Sequence, residues 1–156
     1  MLLHCLIIQG RFMDSPKYTG LEFLTALKNG EVSPSPMAHT IPMQLVEVSE
    51  GKATYKVTPK QEHRNIQGGV HGGFCATALD TATGSAAHTL LEHGVGYGTI
   101  DLNVKMIRPM QVDTSYYAKA ELINAGRNII STEGKIVDEN GKVYAFATAT
   151  LMIIRK

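Results

Sequence analysis

The stretch Asn65-Ile66-Gln67-Gly68-Gly69-Val70-His71-Gly72-Gly73, with the apolar segment Phe74 to Leu91 behind it, decides how this chain is read. Its glycines allow positive φ and close backbone approach, and the segment that follows is long enough for a buried helix. From Gly72 to Leu91 the residues are mostly Ala, Thr, Leu and Gly, and the only formally charged side chain is Asp80. An ionised carboxylate in such a setting is costly unless it is paired, wetted or used, so Asp80 is either a structural ion pair, a solvent-facing wedge or a functional group. The first N–H groups of the helix are unpaired and its positive dipole end is exposed, which suits an oxyanion. The turn lacks the Gly-Lys-Ser/Thr ending of a phosphate loop, so a nucleotide site is not indicated. Glycines alone leave open a turn that merely starts a helix.

Asp80 follows His71 by nine positions, which is roughly 13 Å along a helix and on its opposite face. One small reacting group cannot easily touch both. If the turn and the carboxylate serve one reaction, the simplest arrangement is a symmetric dimer in which the turn of one subunit faces the carboxylate of the other.

Asn65, the triplet His71-Gly72-Gly73, Asp80 at its fixed distance, and Thr99-Ile100-Asp101-Leu102-Asn103 together resemble hotdog-fold thioesterases of the phenylacetate-pathway (PaaI-like) type, over His63 to the C-terminus. The resemblance implies an α+β hotdog fold, an antiparallel β-sheet wrapped around a long central helix. It also implies active sites between paired subunits, a homotetramer of two dimers, and hydrolysis of acyl-coenzyme A thioesters. On that reading Asp80 is general base or nucleophile and the Gly72 N–H an oxyanion donor. Asn65 and His71 orient the turn or the thioester, Thr99 holds the water or Asp80, and Gly73 lines the substrate. Arg108 and Arg127, each beside a predicted turn, are placed to reach a coenzyme A phosphate, although solvated surface arginines are the plainer reading. Coenzyme A enters as part of the substrate, and neither a cofactor nor a metal is expected.

At 156 residues the chain suits one domain, here 13–156, preceded by an extension, 1–12, that is expected to be dispensable. A net charge of +1 creates no strong field for nucleic acid or an anionic membrane. Cys5 and Cys75 offer no disulfide framework, so a reducing cytoplasm fits. The apolar run Leu2 to Ile8 is too short to span a bilayer and lacks the marks of a secretory signal.

Leu21, Phe23, Leu24 and Leu27 predict a short amphipathic helix over Thr19 to Lys28, and Ser33-Pro34-Ser35-Pro36 an extended linker. Pro42 to Val48 and Ala53 to Thr58 read as a hairpin about Ser49 to Lys52, and Pro59 to Gln67 as a polar connection. Ile100, Leu102, Val104 and Met106 alternate with polar residues as the buried face of a strand that Arg108-Pro109 ends. Strands are then expected at Thr114 to Ile123, Asn128 to Val137 and Lys142 to Ile154, with Asn140-Gly141 a strong turn signal. In the last, Val143, Ala145, Ala147, Ala149 and Leu151 form a face small enough for close helix packing.

Three rival readings stay in view. Cys75, four residues after His71, invites a Cys–His nucleophile, against which stands the usual role of buried cysteine as a small apolar side chain. A hotdog hydratase or dehydratase would use the imidazole of His71 as its acid–base group. A non-catalytic acyl-coenzyme A-binding module would not need Asp80. His63, His71, His88 and His93 lack metal-ligand spacing.

Overall fold

The structure, a computed structural model, describes residues 18–155. The expected extension 1–12 and Cys5 lie outside the described residues. Thr19 opens helix α1 (Gly20–Lys28) with a capping box, its side chain accepting from the Glu22 N–H while Glu22 reaches back to the Thr19 N–H. A four-residue helix α2 (Met37–Thr40) follows the proline linker, an element that the sequence reading does not contain. Strands β1 (Met43–Ser49) and β2 (Lys52–Val57) form the expected hairpin, turning at Gly51, where φ is +71°.

Within the polar connection a short 3-10 turn, Gln61–His63, precedes the glycine turn. Helix α3 (Gly72–His88) then runs to His88 rather than to Leu91, because Thr89 caps its end. Strands β3 (Gly96–Met106), β4 (Tyr116–Ala125), β5 (Ile129–Val137) and β6 (Val143–Ile154) complete a six-stranded antiparallel sheet in the order β1-β2-β4-β5-β6-β3. Strand β4 starts two residues later than predicted, because the turn carrying Asp113 (φ 57°) extends to Ser115 and is pinned by Asp113 N–H donating to the Pro59 carbonyl.

The sheet curls around α3, which contacts every strand. Small residues make this possible. Ala78, Ala82 and Ala86 of α3 are fully buried, as are Ala145 and Ala147 of β6, with Ala149 nearly so. At the centre of β5, a Cβ on Gly134 would lie 3.1 Å from Thr83 Cγ2 and 3.3 Å from Leu79 Cδ2, so the helix sits closer to the sheet than a side chain there allows. Leu79, Ile130, Ile136 and Leu151 fill the rest. Among the described residues no helix is long and apolar enough to cross a membrane.

Strand β3 departs from its predicted alternation. Its register with β6 slips between Thr99 and Asp101, a bulge at Ile100, which is 57% exposed instead of buried. The extra residue switches the pleat's parity. Before it Tyr97 and Thr99 face α3, and after it Leu102, Val104 and Met106 do. Glycine-rich Gly96-Tyr97-Gly98, which lies ahead of the alternation that marks the strand in sequence, is the start of this strand.

Candidate active site

Asn65 builds the glycine turn. Its N–H donates to the Gly69 carbonyl (2.8 Å), its carbonyl accepts from Gly68 N–H (2.9 Å), and its side-chain oxygen accepts from the N–H groups of Gln67 (2.9 Å) and Gly69 (3.2 Å). Gly68 takes φ +85°, a conformation suited to glycine. Sequence reasoning missed two supports. Arg64 Nη1 donates to the Gly68 carbonyl, clamping the turn from outside. Buried His63 accepts from the Lys60 N–H at Nδ1 (2.8 Å), contacts the Thr40 carbonyl through Nε2 (2.9 Å), packs on Phe74, and takes the His71 N–H on its own carbonyl (2.8 Å). A histidine inside a polar connection, followed after seven residues by the glycine-flanked His71, was the available signal.

His71 is the N-cap of α3. Its Nδ1 accepts from the Gly73 N–H (2.8 Å) and its carbonyl from the Phe74 N–H (2.9 Å), so the first turn's N–H groups at Gly73 and Phe74 are taken internally. The Gly72 N–H, at the first helical position, is the donor this arrangement leaves for an outside acceptor. Because Nδ1 accepts, the neutral His71 ring carries its proton on Nε2 and presents a donor there, not a base. Met106 of β3 roofs Gly72: a Cβ on Gly72 would lie 3.0 Å from Met106 Cε.

Asp80 sits half-buried eight residues along α3, and its Oδ1 accepts from Thr99 Oγ1 (3.0 Å). The bulge at Ile100 is what turns Thr99 to the helix. Thr99 therefore holds the carboxylate within its own subunit, and one of its two oxygens stays available. Within a subunit the Gly72 N–H and Asp80 are not brought together, standing about 12 Å apart along the helix axis.

Arg108 donates to the Val143 carbonyl at the end of the sheet where Met106 pairs with Ala145. Arg127 lies at the other end, beside Ile129, which pairs with Met152. Seven residues of β6 separate those ends, about 23 Å, so one subunit's two arginines do not share one phosphate. The rival Cys–His reading finds no support. Cys75 is buried with its Sγ 3.4 Å from Met110 Sδ, burial pushes its thiol up to about 11, and Nδ1 of His71 is already bonded to the Gly73 N–H.

Residues 67–145 match the family described as the thioesterase superfamily. Human acyl-coenzyme A thioesterase 13 is 26% identical over 102 residues, 65% of this chain and 72% of that protein. The Escherichia coli K12 medium/long-chain acyl-CoA thioesterase YigI is 29% identical over 124 residues, 71% of this chain and 79% of that one. The solved structure of a phenylacetic acid degradation-related protein from Ralstonia eutropha JMP134 superposes with a TM-score of 0.76 at 28% identity, covering 83% of this chain and 98% of that one.

Proposed function

The chain belongs to the thioesterase superfamily and has its hotdog fold, and from that premise of a thioester hydrolase we propose that it cleaves acyl-coenzyme A thioesters carrying an aryl or medium-chain acyl group. The observation that carries the reading is one helix bearing an open, pre-ordered N–H at its start and a Thr99-anchored carboxylate eight residues later. Sulfur leaves readily, so such an enzyme needs chiefly a nucleophile and a place for negative charge on the carbonyl oxygen. The Gly72 N–H supplies the second; one oxyanion donor of this kind is worth about 3 kcal/mol in the transition state. Asp80 supplies the first, as general base toward water or as direct nucleophile through an anhydride.

Donor and nucleophile must both lie about 3 Å from the reacting carbonyl, which the 12 Å helical separation forbids within one subunit. The partner is a second copy. Strand β3 is an eleven-residue sheet edge with exposed Ile100 and Met106, the kind of edge that pairs with another strand. Antiparallel pairing of two β3 edges about a two-fold axis sets the Gly72 end of one subunit against the Asp80 end of the other. It also brings Arg108 to the same end as Arg127 of the partner subunit, so the two reach one coenzyme A only from different chains. Two such dimers make the tetramer.

The acceptor role of His71 Nδ1 weighs against a hydratase, which needs that imidazole as a base. Thiol release from aryl and aliphatic acyl-coenzyme A esters, measured for the wild type and Asp80→Asn, tests the proposal. Turnover in the wild type, lost in a folded, dimeric Asp80→Asn, is expected. Tight binding without cleavage, indifferent to Asp80, would make the protein a binding module instead.

A further inference from the structure

The two sides of Asp80 along α3 differ. Toward the N-terminus Gly72, Gly73, Ala76 and Thr77 are partly or fully exposed, whereas Ala82 through Ala87 are all buried. A polar coenzyme A suits the open side and an apolar acyl group the other. The residue met there is Tyr97. A Cβ on Gly84 would lie 2.7 Å from Tyr97 Oη, 3.0 Å from Cε2 and 3.2 Å from Cζ, so the phenol ring lies directly on the helix where Gly84 has no side chain. Gly84 follows Asp80 by four residues, on the same face and about 6 Å farther along the axis. Behind Tyr97 the strip is filled, with the His88 ring centroid 5.5 Å from that of Tyr97 and the Phe23 centroid 5.8 Å from that of His88. Burial foremost, and then the charges of Tyr55 and Asp80, hold the Tyr97 hydroxyl above its ordinary titration range, so it remains a neutral phenol.

We propose that Tyr97, seated on Gly84, is the floor of the acyl pocket and the residue that limits acyl length, so that the preferred substrates carry an aromatic ring or a short chain instead of a long fatty tail. The phenol stands one helical turn beyond the carboxylate, so a flat ring extending from the thioester meets Tyr97 edge to face and a longer chain is stopped there. Tyr97 acts here by its bulk. This rests on the thioesterase reading and narrows it.

The test compares benzoyl-, butyryl-, octanoyl- and dodecanoyl-coenzyme A in the wild type, Tyr97→Val, Tyr97→Phe and Gly84→Ala, both as substrates and as non-hydrolysable thioether analogues in binding titrations. Valine suits a strand. If Tyr97→Val does not fold, Tyr97→Leu, which keeps more of the apolar contact, replaces it. Removing the ring should raise the octanoyl-to-butyryl ratio of kcat/KM, and of affinity, by about tenfold or more, each methylene admitted being worth about fourfold, while His88 and Phe23 behind it still exclude the dodecanoyl chain. Tyr97→Phe should keep the wild-type length profile. Gly84→Ala should push the ring toward the mouth and lower octanoyl relative to butyryl. Profiles that move in parallel across the four acyl groups, or a Phe variant that shifts as far as Val, overturn the inference while leaving hydrolysis intact. A wild type that cleaves none of them, yet binds with a length dependence that Tyr97→Val shifts, supports the pocket floor and sinks the hydrolase.

Discussion

Proline at position 72 isolates the proposed oxyanion donor. His71 has φ −63° and ψ 135°, the extended backbone that a residue before proline prefers, and Gly72 is the first helical position, where proline is tolerated because its N–H has no intrahelical partner. The Cβ of the added ring would lie 3.0 Å from Met106 Cε, the far end of a flexible side chain. Gly72→Pro should therefore fold and dimerise normally. Losing one oxyanion donor should lower kcat about 100- to 1,000-fold, close to 3 kcal/mol or more, with KM little changed. Complementation makes the test sharper. In a reannealed equal mixture of Gly72→Pro and Asp80→Asn, about half the dimers are mixed, and each mixed dimer holds one site with Gly72 from one chain and Asp80 from the other, both intact. About a quarter of wild-type turnover should return, read as thiol release. A mixture no more active than its parents, despite mixed dimers seen by native mass spectrometry, would refute the shared site.

Thr99→Val keeps the side chain's shape and removes the hydrogen bond to Asp80; the loss of kcat should be about tenfold, at the low end for a bond to a charged acceptor, and Thr99→Ser should restore most of it. The Cys75 thiol, pushed up to about 11 by burial, holds only about one part in 10,000 as thiolate at pH 7. Iodoacetamide should label native Cys75 slowly until the pH approaches that value, and Cys75→Ala should retain turnover; rapid loss of activity on labelling at pH 7 would reopen the thiol reading.

Most of the architecture is legible in the chain because two periodicities carry it: the small-residue run Phe74 to Leu91 and the alternation Ala145, Ala147, Ala149, Leu151 match a helix pressed against a sheet. The site is legible through residue types that make sense only together, a glycine turn before a helix and one carboxylate inside it. What escaped is set by tertiary contact. No local pattern marks Ile100 as a bulge; its exposure follows from β6 supplying one residue where β3 supplies two. Gly96 and Gly98 look like loop glycines, yet pairing with Ile154 and Met152 holds them in a strand. The clamp of Arg64 on Gly68, the anchoring of His63 to the Thr40 carbonyl and the seat of Tyr97 on Gly84 join residues from different elements or through turn geometry, beyond what spacing conveys.

The bulge at Ile100 acts on β3 as a frameshift acts on a message: odd-numbered side chains are read by the helix before it, even-numbered ones after it. Tyr97 and Thr99 on one side, Leu102 and Val104 on the other, are in phase with α3 only while that one extra residue stays in place. Deleting Ile100 would leave the composition of the strand almost untouched and still turn one half of it inside out. The segment from Gly96 to Met106 is therefore inherited as a block, and a chimera that joins its first half to an unbulged second half would lose either its carboxylate anchor or its core.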